Sequence, residues 1–140
     1  MHKNSVIWLT EQDLNRLRHL IVDLTRAARG AQAGVDTLEE ILDLGRVVAV
    51  VDIPPDVVTM NSRVVFDDMD SGERRDVTIV YPDQADPVNG KVSILSPVGV
   101  ALLGLTEGAE TTLQLPRGRT ARLRIAKVAY QPEASGEYSL

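Results

Sequence analysis

Few side chains in this sequence could do chemistry, and each has a competing structural use. His2 and His19 are the only histidines. A histidine becomes a metal ligand when further ligands stand at matching spacing, and none do here. His2 belongs to the terminus, and His19 falls off the apolar stripe Leu14/Leu17/Ile21, so it is expected to face solvent. Asp67, Asp68 and Asp70 bunch like metal ligands, but the calcium-loop pattern needs further acidic positions and a distant Glu that this stretch lacks. A hairpin turn with solvated carboxylates is the expectation. Ser96 could be a nucleophile only on a G-x-S-x-G elbow with a histidine nearby, and it has neither, so a helix cap is expected. Arg117, Arg119, Arg122, Arg124 and Lys127 form the one dense basic group. Arg122 and Arg124 share a strand face and are a candidate basic contact surface. The plainer alternative is the polar outside of a half-buried sheet. No aromatics interleave with them, which argues against a site for stacked single strands. With no glycine-rich phosphate loop and no dinucleotide fingerprint, no catalytic residue, metal site or cofactor is expected, and the chain is not expected to be an enzyme.

The composition narrows the classes further. The chain has 140 residues, 44% of them hydrophobic, enough for one core or a core with a small appendage. Twenty acidic against fifteen basic side chains leave a formal charge of −5, which argues against general nucleic-acid binding. There is no cysteine, and no stretch has the length of a membrane span or the hydrophobic region of a signal peptide. A soluble, cytoplasmic protein is expected, with no membrane partner and a monomer as the default.

Two periodicities must position these residues. Thr10 is a candidate N-cap, with Glu11 and Asp13 in the first helical turn. Leu14, Leu17, Ile21, Leu24, Ala28 and Ala31 then recur at alternating steps of three and four, a seam at heptad spacing. Gly30 and Gly34 enclose a short loop. Asp36 opens a second helix as its cap with Glu39 three residues on, and Thr37, Ile41, Leu44, Val48 and Val51 continue the seam, weakened by Gly45. Two such helices make an antiparallel hairpin, each arm about 20–30 Å long, expected to project as a prong.

Pro54 and Pro55 mark the boundary, after which the period becomes two. Val64 and Phe66, then Val77, Ile79 and Tyr81, flank a turn at residues 68–73. Strands follow at residues 91–95, 110–115 and 120–130, the last with a parity slip near Ala126-Lys127 that predicts a β-bulge. Met60 is a gap-filler between hairpin and sheet. Residues 94–108 hold the one short helix of this half: Ser96 caps it, Pro97 takes its first position, and Gly104 stands past its end. That helix is apolar on nearly every face, so it must pack on the sheet. The expected class is α+β: a helical hairpin (a short coiled coil) over residues 1–52, and an antiparallel sheet with one packed helix over residues 53–140.

Several of these stretches, in order, resemble the bacterial GreA/GreB transcription factors and the related Rnk group, regulators of nucleoside diphosphate kinase. They are the D-M-D-S-G-E turn, T-I-V-Y-P-D-Q-A-D-P, K-V-S-I-L-S-P-V-G-V-A-L-L-G-L and the L-P-R-G turn. D-V-V-T-M-N-S and Y-Q-P-E-A-S-G-E-Y point to the Rnk group within that family. The resemblance implies an FKBP-like domain that binds RNA polymerase at the mouth of its secondary channel. It places the contact on the loop opening the short helix, at Ser96, Pro97 and Val98. Nucleic acid would then be met only through the polymerase complex. In Gre factors, acidic residues at the hairpin tip help hold magnesium for transcript cleavage. Here the tip reads R-G-A-Q-A-G, with Arg29 and Gln32 in place of carboxylates and Asp36 the nearest acid. A non-cleaving modulator of secondary-channel factors is the expectation. The alternatives are control of nucleoside diphosphate kinase, direct or through its expression, and prolyl isomerisation, which would need an aromatic-lined cleft from Phe66, Tyr81 and Tyr130.

Overall fold

The computed structural model describes residues 6–27 and 34–137. In chain order these form strand β1 (Trp8–Thr10), helix α1 (Glu11–Ala27), helix α2 (Val35–Leu44), strands β2 (Arg46–Val48), β3 (Arg63–Asp68), β4 (Arg74–Val80) and β5 (Lys91–Ser93), helix α3 (Pro97–Leu102), and strands β6 (Glu110–Gln114) and β7 (Thr120–Tyr130). The class is α+β. No helix among the described residues is long and apolar enough to cross a membrane.

The main sheet has the order β5-β4-β3-β7-β6. Its pairs are antiparallel except the edge, where β5 runs parallel to β4. Alternation builds it: Val64, Phe66, Val77, Ile79, Ala121, Leu123 and Ile125 are buried, while Arg122 and Arg124 between them face out. The bulge lies where the parity slip predicts it. Phe66 stands opposite Ile125 but Val65 opposite Lys127, so Ala126 is the extra residue. A second one follows at Ala129, because Val64 pairs with Val128 and Arg63 with Tyr130. The first bulge restores Val128 to the core side, where it packs half-buried.

α1 buries the stripe its spacing announces, with Leu17 fully enclosed and Leu14, Ile21 and Leu24 beside it. The Thr10 hydroxyl caps it, accepting from the Asp13 N–H at 3.0 Å. α2 departs from expectation in three ways. It begins at Val35 behind Gly34 (φ +87°), with no side-chain cap, so Asp36 is a first-turn residue rather than the cap. It buries Val35, Leu38, Ile41 and Leu42, whereas Thr37, Leu44 and Val51 of the expected seam are exposed. It also stops at Leu44, because Gly45 turns extended where β1 crosses and a Cβ there would overlap the Leu9 side chain. The chain then forms β2, which pairs parallel with β1. Arg29 and Gln32 lie outside the described residues.

The paired helices do not stand clear as a prong. Leu17, Ile21, Leu38 and Ile41 join Val64, Phe66, Ile79, Ile94, Leu102 and Ile125 in one buried cluster. The Trp8 N–H donates to the Gly104 carbonyl at 2.9 Å, and Gly104 N–H to the Val58 carbonyl at 2.8 Å. Gly104 (φ +84°) does more than follow a helix, since a Cβ there would overlap the Ile7 side chain and crowd the Trp8 backbone. Pro54 and Pro55 separate helices from sheet along the chain, but the core runs across the boundary.

Candidate docking surface

Ser96 sits at the N-cap of α3 in an extended conformation (φ −69°, ψ 157°). Its hydroxyl accepts from the Gly99 N–H at 3.1 Å and donates to the Ser93 carbonyl at 2.6 Å. The Ser93 hydroxyl in turn accepts from the Leu95 N–H at 3.0 Å. Both serines are therefore spent on shaping the loop, and what the loop offers a partner is the exposed Pro97 ring at the first helical position. Val98 is half-buried against the core. A slot of about 220 Å³ opens beside Pro97, between Gly34 and Thr37 of the helical half and Leu95, Val100 and Thr112 of the sheet half. The start of α2 thus borders the loop that opens α3.

The other sequence candidates are scattered. Asp36 is exposed in the first turn of α2, where its charge complements the helix dipole. Arg122 and Arg124 do share the outer sheet face, but that face is balanced. Asp70 accepts from the Arg122 backbone N–H at 2.8 Å and stands 3.5 Å from its guanidinium. Arg124 pairs in register with Asp67 on β3 and Glu110 on β6. Arg63–Asp76 and Arg74–Asp67 ion pairs, at 2.7 and 2.8 Å, continue the ladder. The Arg74 hydrogen bond, with help from the charges of Arg74 and Arg124, holds the Asp67 carboxyl below its ordinary range. Asp68 is held low by the backbone N–H groups of Ser71 and Asp70, as a turn residue is. Each aspartate of the cluster therefore has structural work. Among the described residues no three His, Cys, Asp or Glu side chains gather as a metal site.

A buried polar cluster escaped the sequence. Asp13 is only 3% exposed, and its carboxylate accepts from the Met60 N–H at 3.1 Å. Burial is the main force on it, and the nearby Glu133 charge adds to that, raising its pKa to about 7 against the opposing pull of Met60, Arg16 and Thr10. Glu133 accepts from the Thr59 hydroxyl at 2.7 Å, and Gln131 donates to the Pro54 and Val57 carbonyls at 2.8 and 2.9 Å. The Tyr81 hydroxyl is buried without a well-formed hydrogen bond, although the Arg16 guanidinium faces it. Burial pushes the Tyr81 pKa upward. The signal for Asp13 was present: positions 13, 17 and 21 share one helical face, so an acid in phase with Leu17 and Ile21 points inward. Nothing local marks Gln131 or Glu133.

Comparison with known proteins supplies the remaining observations. The family model described as transcription elongation factor, GreA/GreB, C-term matches residues 53–130. The regulator of nucleoside diphosphate kinase of Escherichia coli (strain K12) is 43% identical over 105 residues, covering 75% of this chain and 77% of that protein. Transcription elongation factor GreA of Desulfovibrio desulfuricans is 42% identical over 98 residues, 69% of this chain and 60% of its own length. Among solved structures, a prokaryotic transcription elongation factor GreA/GreB from Nitrosomonas europaea superposes with a TM-score of 0.70 at 41% identity. That alignment covers 89% of this chain and 98% of the other.

Proposed function

This chain belongs to the GreA/GreB family, and we propose that it binds RNA polymerase near the secondary channel through the loop opening α3, without stimulating transcript cleavage. The observation that carries this reading is the Ser93–Ser96 hydrogen-bonded turn, which fixes Pro97 outward on a rigid platform. A preformed, exposed ring costs little ordering entropy on binding. Val98 supports it from the core side. Arg29 and Gln32, which lie outside the described residues, and the exposed Asp36 are further proposed contacts with the polymerase.

Cleavage stimulation needs carboxylates that concentrate metal charge at the reaction centre. The tip R-G-A-Q-A-G supplies none, and both helices are committed to the platform core. We therefore assign a modulating role, in the cytoplasm where the polymerase works. Adding the protein to stalled elongation complexes tests this. Unchanged transcript lengths are expected, and shortened transcripts would refute it.

The name of the Escherichia coli relative favours a second reading, control of nucleoside diphosphate kinase. A change in the kinase's turnover on adding this protein to the purified enzyme would favour direct contact. Prolyl isomerisation finds no support in the geometry. Phe66 is sealed in the core, the Tyr81 hydroxyl is buried, and Tyr130 lies beyond the second bulge, so the three aromatics line no common cleft. The balanced outer face of Arg122 and Arg124 also receives no polymerase contact in this proposal.

A further inference from the structure

A groove of about 750 Å³ runs between α1 and the loop that leaves β4. Leu20 and Leu24 on the helix face Tyr81 and Pro82 on the platform, giving it an apolar floor. Asp23 rims one side and Asp83 the other; both are exposed, and neither carries an ion pair among the described residues. Among the described residues, the basic side chains lining the groove are Arg16 and His19. Arg16 is turned toward Asp13 and the Tyr81 hydroxyl. His19 is tied through Nδ1 to the Asn15 carbonyl at 2.9 Å. The groove therefore carries two exposed carboxylates on its rim, with the Arg16 guanidinium directed at the buried Tyr81 hydroxyl, around an apolar bed on a chain whose net charge is −5.

We propose that this groove binds a basic peptide segment of a protein partner. The methylene stem of an Arg or Lys would lie on Leu20, Leu24 and Pro82, with its cation at Asp23 and Asp83. The Ser96 loop takes no part, so this binding stands or falls apart from polymerase docking. The probe is the peptide acetyl-Ala-Leu-Arg-Ala-Leu-Arg-Ala-amide, titrated into the ¹⁵N-labelled full chain. Saturable shifts confined to the amides of residues 16–24 and 81–84 are expected, and they should persist in Ser96→Arg. The Asp23→Asn/Asp83→Asn double variant, altered only at exposed positions, should bind about tenfold more weakly. No saturable shifts, or equal shifts from the same peptide with glutamine for arginine, would overturn the proposal. So would spermidine producing the same shifts at lower concentration than the peptide, which would assign the groove to a free cation.

Discussion

Asp13 is the residue whose behaviour differs most from what its position in the sequence suggests. A first-turn aspartate normally stabilises a helix from the solvent side, but this one is enclosed between α1, the loop at Met60 and the tail at Glu133. Its folded pKa of about 7 lies above the ordinary value of 3.8. Between those values the folded chain holds a proton that the unfolded chain has lost. The contribution of this group is therefore greatest at low pH and is lost as pH rises through 7, at about 1.4 kcal/mol per pH unit across the window. Urea denaturation of Asp13→Asn should show that slope removed and the protein stabilised at pH 8, because the amide oxygen can still accept from Met60. An unchanged slope would place the titration elsewhere. Ser96 gives a smaller test at the same level: Ser96→Ala removes the hydrogen bond to Gly99 and should cost about 1 kcal/mol, read as a lower urea midpoint.

Strands were the legible elements. Alternation identified inward and outward residues on β3, β4 and β7, and the parity slip located the bulge at Ala126, because a sheet with one buried face writes its register into the sequence. The spacing of Val48 and Val51 fits a helical seam although the chain forms β2 there, because the long-range approach of Leu9 to Gly45 decides where α2 stops. The stripe on α2 shifted for a related reason: it packs on α3 as well as on α1, so Leu38 and Leu42 outrank Thr37 and Leu44. Of the candidate docking surface, the cap and its proline were readable from Ser96-Pro97, since capping is local chemistry. Its bordering slot was not, since α2 reaches it from about sixty residues away in the chain. Gly104→Ala tests the junction between β1 and the platform. The left-handed φ, the overlap with Ile7 and the crowding of Trp8 should cost about 2 kcal/mol or more, with loss of amide protection at Trp8 on hydrogen exchange. Protection as in the wild type would mean that β1 does not depend on this approach.

One core spans the helical and sheet halves, which has consequences for the molecule as a unit. Leu38→Ala should cost about 2–5 kcal/mol and lower a single cooperative transition followed both by helix signal and by Trp8 fluorescence. Two separated transitions would show that the helices fold apart from the sheet. A shared core also means that deleting the helices would open it to solvent, so polymerase binding has to be examined in the full chain. The most direct measurement is the affinity of core RNA polymerase for the full chain and for Ser96→Arg, each first shown to be folded by its urea transition. Docking through the loop that opens α3 predicts at least a tenfold loss of affinity for Ser96→Arg. Equal affinity for the two folded proteins would contradict it.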